Sequence, residues 1–449
     1  MGLMERLGLT GPDRLAPGVH RFDGRGELAH HRFHLRIDAS GKGVLLIDAS
    51  KLLFLNGTAV DYVRCVLEAL PEKEAVRRMR SLYRGLARQT ASEHLERTRA
   101  QLLEFVHGKE DVVRQVAADT PTIGADGLSA PYRMDLALTY RCQNDCGHCY
   151  NEDRPGQELS VEEWSRVLDI LWKAGVPHVV FTGGEPTLYK GLRDLIKRSE
   201  ELGQVTGLIT NGRELRNPGY LRDLVSVGLD HVQITLLSHR RTVHDRLVRK
   251  EGAWDETVEG IKAAVAEDLY VSTNTTILRE NLQDVEDTAR FLVGLGVKNM
   301  AFNSVIRSGG GASAEGVTNG ELVPLLSRLK DIAREAGVKL IWYTPTPYCE
   351  LNPVNLGLGI KQCTACSINM AIEPDGTVLP CQSFYKGLGN ILKDPWVRIW
   401  DHELCRGFRT REHMADRCKG CGLADVCGGG CPLALEHGDY VCLDRHSSM

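Results

Sequence analysis

Leu138-Thr139-Tyr140-Arg141-Cys142-Gln143-Asn144-Asp145-Cys146-Gly147-His148-Cys149-Tyr150 is the stretch on which the reading of this chain turns. Its cysteines follow the spacing Cys-x3-Cys-x2-Cys. Three such thiolates can hold three irons of a 4Fe–4S cube and leave the fourth iron without a protein ligand. An open iron can bind a small molecule and pass it an electron. Zinc competes with this reading, because Cys-x2-Cys pairs often hold it. A closed zinc site needs a fourth ligand, and none follows soon after Cys149; His148 is too close to Cys149 in sequence to serve comfortably. A disulfide needs an oxidising compartment. The sequence shows no signal peptide and no long apolar stretch, so it is expected in the reducing cytoplasm, away from membranes. Soft thiolates there favour iron–sulfur chemistry.

The rest of the chain is ordinary for a globular protein except in its cysteines. It has 449 residues, 42% of them hydrophobic and 25% charged, and a net charge of −4. That length suits two or three domains. The charge balance calls for neither nucleic acid nor an anionic membrane. Of the 14 cysteines, nine lie after residue 360. Residues 117–131 combine prolines, glycines and small polar residues and read as a linker. A second break falls near residue 345, at Thr344-Pro345-Thr346-Pro347. The expected domains are therefore 1–116, 132–344 and 345–449.

The middle domain alternates β-branched apolar runs, at 134–139, 178–182, 205–210, 232–236, 270–277 and 300–305, with helical patterns. Ser160-Val161-Glu162-Glu163 forms a capping box for the first helix, which stops near Gly175. Repeated βα units predict an α/β fold with a parallel sheet and ligands at the carboxyl ends of its strands. The cysteine loop follows the first strand directly. The second strand ends in Gly183-Gly184-Glu185, where glycines permit close backbone approach and the carboxylate can accept from an ammonium group. The third ends in the turn signal Thr210-Asn211-Gly212.

The cysteine loop and the Gly-Gly-Glu turn together resemble the radical S-adenosylmethionine superfamily. That resemblance implies a six-unit partial barrel in which S-adenosylmethionine chelates the open iron. It implies reductive cleavage to methionine and a 5′-deoxyadenosyl radical that abstracts a substrate hydrogen. It also implies cofactor contacts from Gly183, Gly184 and Glu185, and from Thr235, which stands where the family often has Ser. The family's following Asp-Gly is replaced here by Leu237-Ser238. Arg249 is a candidate partner of the methionyl carboxylate. Asn274 is a candidate cofactor contact; for it and for His244 a satisfied structural role competes.

The tail is similar to the seven-cysteine SPASM extension of enzymes that modify peptides and proteins. Cys363 and Cys366 both fit the first spacing before Gly376 and Cys381. Cys418-x2-Cys421-x5-Cys427-x3-Cys431 and Cys442 complete the pattern. The resemblance implies two auxiliary 4Fe–4S clusters: one on Cys366, Cys381, Cys431 and Cys363, with Cys349 competing for the place of Cys363, and one on Cys418, Cys421, Cys427 and Cys442. Structural zinc is the bland alternative. Cys405 and Cys65 fit neither set, and Cys65 reads as a buried apolar residue.

The first domain alternates as strands at 32–37, 43–48 and 51–55, then shows three helical patterns, near 58–70, 72–87 and 91–107. It is winged-helix-like and resembles the leader-peptide-binding domain of enzymes that act on ribosomal peptides, in the family of the small chaperone of pyrroloquinoline quinone biosynthesis. There a leader adds a strand to the sheet edge beside the last helix. The expected function is radical modification of a ribosomally made peptide, by thioether or carbon–carbon crosslinking, oxidation or epimerisation. The expected partners are a leader-bearing precursor peptide and a reductant such as flavodoxin or ferredoxin. Cofactor biosynthesis and sulfatase maturation are alternatives; against the latter, Gln382 stands where those relatives carry a basic Asp. An iron–sulfur DNA-binding regulator is the non-enzyme alternative, although the arginines from Arg77 to Arg99 are interleaved with Glu93 and Glu96 rather than forming a phosphate stripe.

Overall fold

The structure is a computed structural model that describes residues 14–38, 40–48, 51–107, 128–152 and 157–439. Residues 117–127 of the expected linker, and Cys442, lie outside these. The chain divides into two compact units, Met1–Ser129 with Trp172–Pro177, and Ala130–Leu171 with His178–Met449.

The first unit is a four-stranded antiparallel meander, β1 (Gly18–Asp23), β2 (Arg32–Ile37), β3 (Gly43–Ile47) and β4 (Lys51–Leu55), in that spatial order. Three helices follow, Gly57–Leu67, Glu72–Leu82 and Arg88–His107. The sequence predicts three strands here; β1 is the addition. Its residues are half-buried and pair only with β2, so its apolar signal is weak. Phe33, Leu35, Leu45 and Ile47 pack against Val63, Leu102 and Phe105. Asn56 caps the first helix by accepting from Ala59 N–H at 2.9 Å. Cys65 is buried with Tyr62, Ala75 and Met79, as its apolar neighbours predict. The edge strand β4 is tied to the end of the last helix by Lys51 Nζ, which donates to the carbonyls of Phe105 (3.0 Å) and Val106 (2.6 Å).

The second unit is built on one sheet. Its strands are β5 (Arg133–Thr139), β6 (His178–Gly183), β7 (Val205–Thr210), β8 (His231–Thr235), β9 (Tyr270–Ile277), β10 (Asn299–Ser304), β11 (Lys339–Trp342), β12 (Asn369–Ile372) and β13 (Val378–Leu379). The spatial order is β11-β10-β9-β8-β7-β6-β5-β12-β13. All neighbours are parallel except the β12–β13 hairpin. The six expected strands form the middle run. β12 lies in the cysteine-rich tail yet pairs with β5, Ile372 opposite Leu136, so tail and barrel share a sheet. The predicted capping box is present: Ser160 N–H donates to Glu163 (2.9 Å) and Glu163 N–H to Ser160 Oγ (3.2 Å). Among the described residues no helix is long and apolar enough to cross a membrane.

At the amino ends of the strands, His178 Nε2 and His231 Nε2 share a hydrogen bond at 2.8 Å. Burial, helped by the Arg133 charge, pushes the pKa of His231 down to about 3. Because that value lies below the unfolded one, the unfolded chain binds the extra proton first as pH falls. Stability is therefore full above the unfolded histidine value and is lost toward pH 3, at up to about 1.4 kcal/mol per pH unit for one group. Anaerobic urea unfolding between pH 7 and 4.5 should show this loss, and His231→Gln should flatten it. An unchanged slope in the variant would show that other groups set the acid sensitivity.

Candidate active site

The loop after β5 holds Cys142, Cys146 and Cys149 within electrostatic reach of one another. Burial and neighbouring thiols push the Cys146 pKa up to about 12, and burial raises Cys142 and Cys149 too. Metal binding by such thiols would release their protons. Backbone contacts from several strand ends fix the loop. Gly184 N–H donates to Thr139 O (2.8 Å) and Glu185 N–H to Arg141 O (2.9 Å). Asp145 N–H donates to Val248 O at 3.0 Å. Arg213 Nη1 donates to Gln143 O (3.1 Å) and Asn144 Oδ1 (2.8 Å). Sequence reasoning missed Arg213, although it directly follows the turn Thr210-Asn211-Gly212.

Gly183 and Gly184 are required for a reason beyond the expected one. A Cβ on Gly183 (φ 131°) would collide with the Thr139 carbonyl, and one on Gly184 with the carbonyls of Tyr140 and Arg141. The glycines admit the cysteine loop's own backbone, not only a ligand's. Glu185 is fully buried. Its Oε1 accepts from Thr187 N–H (3.1 Å), Thr187 Oγ1 (2.6 Å) and Thr210 Oγ1 (2.7 Å), and its Oε2 from Asn211 N–H (2.8 Å). Every one of these partners is neutral. Burial raises the carboxyl pKa, and these donors oppose the rise. A buried carboxylate held only by neutral donors gains from a cation, and Oε2 retains acceptor capacity. The donor set therefore suits an ammonium group.

Thr235 and Asn274 are register partners on β8 and β9. Among the described residues the buried Asn274 Oδ1 has no hydrogen-bond partner, an unmatched acceptor of the kind a ligand hydroxyl or amino group satisfies. Arg249 lies on the outer side of the cysteine loop. Its guanidinium packs on Gly147 and pairs with Asp145 at 3.6 Å, both side chains well exposed. His244 has a structural bond through Nδ1, which accepts from Leu237 N–H at 3.2 Å. Its buried Nε2 has no partner.

The tail cysteines fall into groups. Cys363, Cys381 and Cys431 lie within electrostatic reach of each other, and burial pushes Cys381 up to about 12. Cys418 is in similar reach of Cys421 and Cys427. The sequence pattern had put Cys366 in the first set and left Cys405 in none. In the structure these two, both fully buried, lie side by side with Cα atoms 5.2 Å apart. Cys349 was read as a competitor of Cys363. It follows Tyr348, whose N–H donates to Cys427 Sγ at 3.3 Å, so its backbone borders the second set.

A parallel sheet with three neighbouring thiols in the loop after β5, and a cysteine-rich tail joined to it through β12, is a scaffold that suits iron–sulfur chemistry, although among the described residues no three ligands already converge as a metal site. Residues 136–292 match the model of the radical SAM superfamily, and residues 363–422 that of the SPASM iron–sulfur cluster-binding domain. PqqA peptide cyclases from Bradyrhizobium diazoefficiens and Rhodopseudomonas palustris are 29% and 30% identical over 328 residues. Each alignment covers 68% of this chain and 83% of the relative. Among solved structures, Streptococcus suis SuiB bound to S-adenosylmethionine has a TM-score of 0.64 at 19% identity, covering 90% of this chain and 95% of SuiB. SuiB bound to the precursor peptide SuiA has a TM-score of 0.66 at 18% identity, over 93% and 97%. The chain belongs to the radical S-adenosylmethionine superfamily, in its SPASM-bearing branch. Its cofactors are accordingly S-adenosylmethionine, a 4Fe–4S cluster in the barrel and auxiliary iron–sulfur clusters in the tail.

Iron analysis separates the two candidate first-set ligands. With two auxiliary 4Fe–4S clusters, the full complement is about 12 irons per chain, and losing one cluster leaves about 8. After anaerobic reconstitution, Cys363→Ala should lose about 4 irons and Cys366→Ala none. Equal loss in both would place Cys366 on the cluster and overturn the grouping.

Proposed function

We propose that this enzyme forms an intramolecular bond within a ribosomally made precursor peptide. The observation that carries this is the pairing, in one chain, of the Cys142–Cys146–Cys149 loop with a strand-edged N-terminal unit. The likeness to PqqA peptide cyclases supports it. So does the likeness, along nearly the whole chain, to a structure containing a precursor peptide. Cys142, Cys146 and Cys149 would hold the radical cluster. Glu185 would accept from the cofactor ammonium, and Thr235 and Asn274 would bind its polar groups. Arg249, already bordering the loop, would serve the carboxylate end. Cys363, Cys381 and Cys431 would hold the first auxiliary cluster. Cys418, Cys421, Cys427 and Cys442 would hold the second. When bound, S-adenosylmethionine and the cluster supply a carbon radical able to abstract hydrogen from an unactivated C–H bond.

The leader would add to the exposed edge of β4, beside the last helix of the first unit. Main-chain hydrogen bonds would give affinity there, and alternate side-chain pockets selectivity. A small acidic electron carrier such as flavodoxin or ferredoxin would reduce the radical cluster in the cytoplasm. Thioether formation, oxidation and epimerisation use the same first step; the cyclase relatives favour bond formation. A DNA-binding regulator gains no support, since it would have no use for the cofactor site.

Deleting residues 1–116 should spare cleavage of S-adenosylmethionine in the absence of peptide, because every proposed cofactor residue lies beyond residue 131. Peptide modification should fall by at least about 10-fold, since the leader would no longer raise the local concentration of the core. Mass spectrometry of the precursor after incubation with each enzyme reads this directly. Equal modification by the truncated enzyme would refute leader docking. So would steeply salt-dependent binding of duplex DNA by this segment without peptide binding.

A further inference from the structure

The arginines from Arg77 to Arg99 do not share one surface. On the second helix of the first unit, Glu72–Leu82, the residues Ala75, Val76 and Met79 are buried. Arg78 is half-buried and pairs with Glu68 of the first helix's end. Lys73, Arg77 and Arg80 follow a spacing of four and then three residues, which sets them in one row on the outer face. Arg84, four residues on, continues the row into the turn that follows. All four are exposed, and among the described residues none has a carboxylate partner. Arg80 Nε donates to Leu86 O at 3.2 Å, which steadies the side chain and leaves its two Nη groups facing solvent. From Lys73 to Arg88 there are six basic residues and one acid, Glu74, in a chain whose net charge is −4. The positive charge is therefore concentrated here rather than typical of the surface. Glu74 itself sits about 100° around the helix from Lys73, off the row.

The third helix, Arg88–His107, differs. Beyond its first turn, Glu93, Glu96 and Glu104 are exposed along with Arg97 and Arg99. A nucleic-acid duplex presents phosphates on a broad front and would meet these acids. A single acidic chain fits the narrow row, which is about 15 Å long, the span of about four or five extended residues. The two ends of the third helix also tie the row to the edge of β4. Leu95 packs with Ala75 and Met79 of the second helix, whereas the carbonyls of Phe105 and Val106 hold Lys51 of β4. About 15 Å of helix separates Leu95 from Phe105, a distance that about five extended residues cover. We propose that this row receives an acidic stretch of the leader peptide, continuous with the segment that adds to β4. This rests on the peptide-maturase reading and gives the leader a chemistry, glutamate or aspartate side chains a few residues from its strand-forming part. Such contacts guide encounter and register more than they add affinity, and salt weakens them.

The test is fluorescence anisotropy on the reconstituted full chain at low salt. The probes are a labelled dodecapeptide alternating glutamate with valine, its counterpart with glutamine for glutamate, and a short duplex DNA. Wild-type enzyme should bind the glutamate peptide at least about 10-fold more tightly than the glutamine peptide, because three exposed ion pairs are each worth roughly a factor of two. Added salt should erase the difference. Arg77→Glu, Arg80→Glu and Arg84→Glu together should abolish it. Glutamine at the same three positions should remove part of it, and carries the comparison if the reversed helix does not fold. Reversing three exposed cations elsewhere, by Lys197→Glu, Arg290→Glu and Arg334→Glu, should leave the preference intact, which a response to bulk charge would not. Cleavage of S-adenosylmethionine without peptide should stay at the wild-type rate in every variant. Equal binding of the two peptides by the wild type, or an unchanged preference in both variants of the row, would overturn the proposal. So would tighter binding of the duplex than of the glutamate peptide, lost in the same variants, because the row would then be a nucleic-acid surface. If a precursor is modified equally well by the wild type and the charge reversal, the row has no part in leader docking and the maturase reading stands. If the wild type modifies no peptide, the maturase reading falls and takes the leader assignment with it.

Discussion

A single buried carboxylate organises the mouth of this barrel. Glu185 is fully buried and accepts four hydrogen bonds, of which the two from Thr210 and Asn211 join the turn after β6 to the end of β7. Through Asn211 and Arg213, the β7 end in turn grips Gln143 and Asn144 of the cysteine loop. Burying a charge among neutral partners costs several kcal/mol before compensation. Four donors offset part of this, and a ligand cation would offset more. The residue that shapes the loop would thus also gain from an ammonium group. With Glu185 in its proposed role, loop geometry and cofactor affinity are one property, not two.

The cysteine-rich tail is bound into the same construction. β12 extends the barrel sheet alongside β5, the strand that leads into the radical-cluster loop. This pairing sets Glu373 against Tyr140, residues 233 positions apart in sequence. The barrel and the cysteine-rich tail share a wall because a strand, not a flexible linker, connects them.

The sequence revealed most where chemistry imposes spacing. Cys142, Cys146 and Cys149 announced their site, and six βα units were visible because parallel strands buried on both faces read as apolar runs. Short strands were not legible: β12 has four residues among cysteines, and β1 is a half-buried edge. The roles of Gly183 and Gly184 were half-legible. A sequence shows that backbone comes close, but not that it is the chain's own loop. Cys363 and Cys366 satisfy the same spacing, and the contact of Cys366 with Cys405, 39 residues further on, left no local signal. Arg213 and Glu373 act across long sequence separations and leave no local signature.

The most direct test of this account is iron and cofactor binding in Glu185→Gln, which keeps the side chain's size and removes its charge. If the carboxylate organises the loop, the variant should keep about 8 irons in the tail but hold the remaining 4 or so incompletely. Addition of S-adenosylmethionine to the reduced protein should then leave the electron paramagnetic resonance signal of the barrel cluster unshifted. A variant with full iron and the wild-type cofactor-induced shift would contradict the account, and would make Glu185 a bystander to a loop held by its cysteines alone.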